Sequence, residues 1–175
     1  MEDIFRFLHE NSVDGVEFLP DQMMHGAPHP TDETIEQWEG WFKKYQIKPV
    51  IADVFLNTNL YDNRELTKKE CVELLVEEIK LAHRLGMNMI RLVSMTPAFV
   101  LESLLPYCEK YNVKVALEIH AGLSFDKQKT KDYDGYVATE YEGNRWTLPG
   151  HPIVEKQEAI AHQKYIRDCL KEIQG

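Results

Sequence analysis

The sequence predicts an α/β fold in which parallel strands form a sheet and helices pack outside it. Segments of strand and helix character alternate along the 175 residues. Several strand segments are apolar on both faces, as strands are when both faces of a parallel sheet are covered. Polar side chains follow the strands, at the edge where parallel sheets keep functional groups. Two architectures fit these observations: an open doubly wound sheet and a (β/α)8 barrel.

The first half of the chain predicts two helices and two strands. An amphipathic segment, DIFRFLHE (3–10), precedes the strand VDGVEFL (13–19), which leads into a long loop, PDQMMHGAPHP (20–30). A helix then begins at Thr31, and the β-branched segment KPVIADVFL (48–56) forms the next strand. A spacing of 3.6 residues predicts that the buried face of the helix consists of Ile35, Trp38, Phe42 and Tyr45.

The second half continues the alternation. Thr67 and Glu70 form a capping box at the start of a helix that Gly86 closes, with Arg84 in its last turn. The residues that we expect to point inward from this helix are Cys71, Leu74, Leu75, Ile79 and Ala82. The remaining predicted elements are strand 87–94, a helix from Pro97 to about Tyr111, strand 113–120, strand 134–141 and a closing helix over 153–173.

Charge and composition exclude several classes of partner. The formal net charge of −9 argues against nucleic-acid binding, which needs clustered lysine and arginine. No apolar run approaches the roughly 18 residues of a membrane span, so we expect no membrane contact. The cysteines are odd in number and far apart, which is typical of reduced thiols. We therefore expect a cytoplasmic protein.

Titratable side chains interrupt two of the strand segments. Glu118 and His120 are two residues apart in strand 113–120, so they share one face of it. Glu140 and Glu142 repeat this spacing in and just after strand 134–141. A buried carboxylate needs a partner, which is either a bound cation or a structural ion pair such as Glu118 with Arg91. Both interpretations of Glu118 stay open on the residues alone.

None of the strands is followed by the glycine-rich turn that nucleotide binding in an open sheet requires, which favours the barrel. The segments DGVEF (14–18), ALEIH (116–120) and DGYVATEYEG (134–143) together resemble the xylose isomerase-like barrel family. This resemblance is collinear over nearly the whole chain. It implies a sugar or sugar-phosphate isomerase or epimerase, or a related lyase that cleaves C-glycosides.

The resemblance also implies roles for particular residues. Glu118 and Glu140 match two of the family's four ligands of a divalent cation, Mn²⁺ or Mg²⁺, and both can move the proton during isomerisation through an enediolate. His120 would be the base in the alternative reaction, β-elimination from an oxidised sugar. For the sugar itself, the sequence offers His25 in the 20–30 loop, Glu142, and Trp146 as a stacking platform or a cover for the barrel end.

The chain departs from the family in length, since a full barrel takes about 250 residues. The interval between strands 113–120 and 134–141 is too short for a crossover helix, so family strands 6 and 7, with the Asp and His ligands they carry, are expected to be missing. Family strand 1 is expected to be missing too, because the chain opens in what would be the first helix. We therefore predict one incomplete barrel domain over 1–175, and a homo-oligomer that covers its open edges. A third interpretation follows, a non-catalytic remnant, because two ligands hold a cation poorly.

Overall fold

In the computed structural model the chain forms two compact units, Met1–Ala121 and Gly122–Gly175. The structure describes residues 1–61, 63–93, 96 and 99–118, and six residues of the second unit: 160, 161, 164, 167, 168 and 171. These six are helical and lie within the predicted closing helix. The predicted strand 134–141 lies outside the described residues. The single domain over 1–175 stays a prediction.

The first unit alternates helices and strands as the sequence predicts. Its helices are α1 Glu2–Glu10, α2 Pro20–Met23, α3 Asp32–Tyr45, α4 Lys68–Arg84 and α5 Val100–Tyr111. Its strands are β1 Gly15–Phe18, β2 Lys48–Val54, β3 Met89–Leu92 and β4 Lys114–Leu117.

The four strands form one sheet in the order β1-β2-β3-β4, and every neighbouring pair is parallel. This confirms the predicted parallel α/β class. The strands follow one another in space as they do in the chain, without the reversal of order that marks a doubly wound sheet. A register shift between Val16 and Glu17 sets Glu17 opposite Ile51. A sequential parallel sheet of this kind is what part of a barrel looks like.

Helix α3 covers the start of the sheet with an aromatic face. Its four predicted inward residues are all buried. Trp38 stacks on Phe18 of β1, with ring centroids 4.8 Å apart, and Phe5 of α1 meets Phe42 edge-on at 5.1 Å. Thr31 caps the helix by accepting a hydrogen bond from the backbone N–H of Thr34. Periodicity and capping in the sequence therefore predicted this element correctly.

Helix α4 confirms its predicted ends and corrects one inward residue. Both hydrogen bonds of the Thr67–Glu70 capping box are present, and Gly86 follows the helix with a φ of +76°. Leu74, expected inward, is instead 38% exposed, whereas Val76 is buried. The buried positions Cys71, Leu75, Ile79 and Ala82 form a stripe that Leu74 borders on the solvent side.

The structure corrects several predicted boundaries. The segment expected to be a loop from Pro20 contains the one-turn helix α2, which proline at its first position favours. Helix α5 begins at Val100, and its expected start, Pro97, lies outside the described residues. Each of the four strands is shorter than predicted, although backbone hydrogen bonds such as Val93 N–H to Val54 O continue past the strand ends.

Candidate functional site

The two faces of the sheet carry different chemistry. Phe18, Val54 and Leu92 are buried in the core that the helices share. Successive side chains of a strand point to opposite faces, so Glu17, Asp53 and Arg91 belong to the other face. Glu118 follows β4 directly, and its backbone N–H donates to Leu92 O at 2.8 Å. We call the face that carries Glu17, Asp53, Arg91 and Glu118 the inner face, because it lines the interior when such a sheet closes into a barrel.

Arg91 lies at the centre of the inner face and contacts an acid from each of the other strands. Its Nε and Nη2 atoms donate to the two carboxylate oxygens of Asp53, at 2.8 Å and 2.6 Å. Nη1 donates to Glu118 Oε1 at 3.1 Å. Glu17 Oε1 lies 2.7 Å from Nε as an ion pair without a hydrogen bond, because the Nε–H is directed at Asp53. One guanidinium thus joins β1, β2 and β3 to the residue that directly follows β4.

The charges of this network stabilise one another. The pKa of Arg91 is raised above its ordinary value, first by the hydrogen bonds with Asp53 and then by the charges of Glu17, Asp53 and Glu118. Partial burial opposes this shift. The side chains are only 25% exposed for Arg91, 17% for Glu17, 9% for Asp53 and 15% for Glu118. Three carboxylates around one cation leave the inner face acidic overall.

Two roles were considered for Glu118 from the sequence: ligand of a bound cation, or ion-pair partner of Arg91. Its position is compatible with both. It lies at the carboxyl end of β4, where a barrel keeps its active site, and it is paired with Arg91. The ion pair considered as its structural role is therefore present. That pair does not decide against a second role, because a carboxylate has two oxygens and several lone pairs.

The described residues do not by themselves make a metal site. Within them, no group of three or more His, Cys, Asp and Glu side chains is arranged to hold a metal ion. The carboxylate oxygens of the inner face are the donors that Mg²⁺ and Mn²⁺ prefer, but Arg91 neutralises part of that charge. Of the two predicted ligands, Glu118 is described and Glu140 lies outside the described residues.

The other predicted site residues are only partly placed. His25 lies exposed in the segment between α2 and α3, and its role in sugar binding stays a prediction. The remaining three, His120, Glu142 and Trp146, lie outside the described residues. The structure therefore brings Glu118 together with Arg91, Asp53 and Glu17, and leaves the wider predicted site untested.

A second acid, the partly buried Glu78 on α4, was not predicted from the sequence. Its Oε2 atom is buried and has no hydrogen-bond partner among the described residues. Burial, and secondly the charge of Asp21, raise the pKa of Glu78 to about 7. The signal was its spacing: Leu75, Glu78 and Ala82 are three and four residues apart, so they share one face of the helix.

The sequence profile of the family described as "Xylose isomerase-like TIM barrel" matches residues 5–128 of this chain. A curated relative, the C-glycoside deglycosidase alpha subunit of Arthrobacter globiformis, is 33% identical over 109 residues, which are 61% of this chain and 29% of the relative. A second alpha subunit of that name from the same organism is 28% identical over 107 residues, 61% of this chain and 30% of the relative. The aligned part of this chain thus spans less than a third of the length of these relatives.

Two solved structures also resemble the chain. A sugar phosphate isomerase/epimerase from Parabacteroides distasonis has 10% identity and a TM-score of 0.48, over 93% of this chain and 58% of that one. The IOLI protein, solved with a zinc atom bound, has 17% identity and a TM-score of 0.46, over 66% of this chain and 45% of that one.

The family match confirms the barrel over the doubly wound alternative. No described helix is both long and apolar enough to cross a membrane.

Proposed function

We propose, from the premise that this chain belongs to the xylose isomerase-like TIM barrel family, that it acts on a sugar or sugar derivative by proton transfer next to a carbonyl. The observation that carries the proposal is the position of Glu118: at the carboxyl end of β4, on an inner face that also carries Glu17, Asp53 and Arg91. Barrel enzymes keep their catalytic groups at this end of the sheet.

In the proposed isomerase or epimerase reaction, a carboxylate removes the proton from the carbon next to the carbonyl. The electron pair of that C–H bond forms a C=C bond as the carbonyl electrons move to the oxygen, which gives an enediolate. In isomerisation the hydroxyl proton moves to the former carbonyl oxygen and the carbon-bound proton returns to the former carbonyl carbon. In epimerisation the proton returns to the opposite face of the carbon that lost it. Glu118 and Glu140 would serve as bases, as well as holding a divalent cation, Mn²⁺ or Mg²⁺. When bound, such a cation polarises the carbonyl and stabilises negative charge on its oxygen.

The substrate would contact residues beyond these two acids. We assign His25 and Glu142 to hydroxyl groups of the sugar, and Trp146 to one face of its ring. We also propose that the protein is a homo-oligomer. The strands β1 and β4 lie at the two ends of the described strand order, and the exposed edges of a parallel sheet need to be covered. A chain without catalysis, retained as an assembly subunit, is the outcome that the experiment below must exclude.

A second candidate reaction is favoured by the similarity to the C-glycoside deglycosidase alpha subunit. In it, His120 removes the proton next to the carbonyl of an oxidised C-glycoside. The electrons form a C=C bond as the bond between the sugar and its aglycone breaks, and the aglycone leaves with a proton. Both reactions begin with the same proton abstraction, so a single assay detects either one.

The assay is deuterium uptake from D₂O at the carbon next to the carbonyl, followed by NMR over a panel of ketoses and 3-oxo-C-glycosides. We expect exchange with Mn²⁺ present that EDTA abolishes and that Glu118→Gln reduces at least 100-fold. Glu109→Gln, which changes an exposed acid on α5, is the matched control and should exchange at the normal rate. Release of free aglycone would identify the elimination. A panel with neither exchange nor release of aglycone would refute both reactions and leave the assembly subunit.

A further inference from the structure

The segment 20–30, which joins β1 to α3 and contains α2, is held in place by few side chains. Its buried residues are Pro20, Met24 and Pro30. Its backbone hydrogen bonds join near neighbours, such as Met24 N–H to Pro20 O and His29 N–H to Gly26 O, each at 2.8 Å. An element attached in this way opens at a lower free energy than the sheet that it borders. We call segment 20–30 the strap.

Helix α4 presents acidic side chains to the strap. The Oε2 atom of Glu78 is buried without a hydrogen-bond partner among the described residues. The charged group that acts on Glu78 is Asp21 of the strap, which is also an acid. One residue earlier on α4, Glu77 Oε2 lies 3.7 Å from Nδ1 of His29. The strap and α4 thus meet through one pair of like charges and one pair that attracts only while His29 is protonated.

The other charged or titratable side chains on this part of α4 and on the strap have partners of their own or are exposed. They are Lys80 with Glu77 at 2.6 Å, Arg84 with Asp32 at the start of α3, His83 against Tyr111 of α5, and the exposed His25. Glu78 and His29 are therefore the groups through which we expect pH to act on the strap.

The two pairs respond to pH in the same direction. Burial, and secondly the charge of Asp21, raise the pKa of Glu78 from 4.5 to about 7. Opening of the strap would bring water to Oε2 and separate the two acids, so a charged Glu78 favours the open state. The closed state therefore keeps this stabilisation in full below pH 4.5 and loses it as the pH rises through about 7. Histidines also lose their charge near neutral pH, which removes the attraction between His29 and Glu77.

We propose that proton loss from Glu78 and His29 loosens the strap from α4, so that segment 20–30 is closed at weakly acidic pH and opens more often as the pH rises above neutral. Because the strap also carries His25, its closure would order a side chain that the proposed function assigns to the sugar. Opening itself is a property of the fold, and it can be measured whether or not the protein is an enzyme.

Oxidation of methionine by dilute hydrogen peroxide measures this opening, because a buried thioether reacts only when it becomes exposed. Met24 of the strap is 3% exposed, as is Met87 shortly before β3, whereas Met1 is 39% exposed. The full chain is treated between pH 5 and 8, and sulfoxide at each position is followed by mass spectrometry. After calibration with Met1, the rate at Met24 should rise about tenfold or more over this range, whereas the rate at Met87 should rise much less.

Variants at the boundary separate the contributions. Glu78→Gln should keep the oxidation of Met24 slow at every pH, because this side chain then has no proton to lose. Asp21→Asn changes an exposed residue and should reduce the rise without removing it. His29→Gln should raise the Met24 rate at pH 5 and so also reduce the rise. Glu73→Gln, which changes an exposed acid on the same helix, is the matched control and should retain the full rise.

Three results would overturn the proposal. The first is a Met24 rate that does not change with pH relative to Met1. The second is an equal rise at Met24 and Met87, which would mean that the whole unit opens and not the strap. The third is a full rise that persists in Glu78→Gln. Should Glu78→Gln fail to fold, an unreduced rise in both Asp21→Asn and His29→Gln would decide against the strap.

Discussion

Two acids of the same unit, the buried Asp53 and the partly buried Glu78, lie in different environments. Asp53 on the inner face of the sheet receives two hydrogen bonds from Arg91. Glu78 on α4 has a buried oxygen without a hydrogen-bond partner among the described residues, and the nearby charge that affects it is a second acid, Asp21. Burial disfavours a charged carboxylate unless a partner compensates. The inner face therefore compensates its acid with a guanidinium, whereas burial and the charge of Asp21 raise the pKa of Glu78 to about 7.

This difference bears on function as well as on stability. In the proposed function Glu118 needs an available charge, and Arg91 neutralises part of it. A partly buried acid with a pKa of about 7 instead makes the stability of its helix depend on pH. The network of the inner face thus bears on the proposed chemistry, and the effect of Glu78 is structural.

The largest expected effect comes from removing Arg91, the positively charged side chain of the inner face. Arg91→Met should lower the free energy of unfolding at pH 7 by about 2 to 4 kcal/mol, because three partly buried carboxylates lose their counter-ion. Urea denaturation followed by circular dichroism measures this change. Arg64→Met removes an exposed pair with Glu70 and should cost much less. Equal losses for the two variants would show that burial does not distinguish the networks.

The next effect, smaller and of opposite sign, concerns Glu78. Its pKa is raised in the folded protein from 4.5 to about 7, so the native state binds more protons than the unfolded state between these values. The contribution of the protonated acid to stability is complete below pH 4.5 and is lost as the pH rises to about 7. Glu78→Gln should remove this decline and stabilise the protein at pH 7 by about 2 to 3 kcal/mol.

The measurement is a series of urea titrations between pH 4.5 and 8. Glu73→Gln, which changes an exposed acid on the same helix, is the control and should keep the slope of the unaltered protein. If Glu78→Gln shows the same slope as Glu73→Gln, Glu78 is ionised in the folded state and the contrast with Asp53 disappears.

The sequence predicted the helices and strands of this fold well, but it did not predict the register between neighbouring strands. Hydrophobic periodicity, the Thr67 capping box and Gly86 are local signals, so they defined α3 and α4 correctly. The register between strands is not local. The shift at Val16 and Glu17 changes which residue of β2 is opposite Glu17, and no pattern in either segment indicates it.

The candidate site shows the same limit. The sequence placed Glu118 within strand 113–120 and named Arg91, on the neighbouring predicted strand, as one possible partner. It did not predict that Asp53 and Glu17 meet the same guanidinium, since three strands must pair in one register for that. Glu78 was missed for another reason: a charged residue on an apolar helical face contradicts the simple pattern from which inward residues were chosen.

The smallest expected effect concerns the charge of Asp21 beside Glu78. Burial is the main cause of the raised pKa of Glu78, and the negative charge of Asp21 is the second. Asp21→Asn should therefore lower the pKa of Glu78 towards its ordinary value without restoring it. Because Asp21 is exposed and its field is screened by water, we expect a gain in stability of only about 0.3 to 0.5 kcal/mol at pH 7. Carboxyl ¹³C shifts of Glu78, followed by NMR as a function of pH, report its pKa directly. An unchanged pKa in Asp21→Asn would make burial the whole cause, whereas a fall to the ordinary value would make Asp21 the main cause and burial the lesser one.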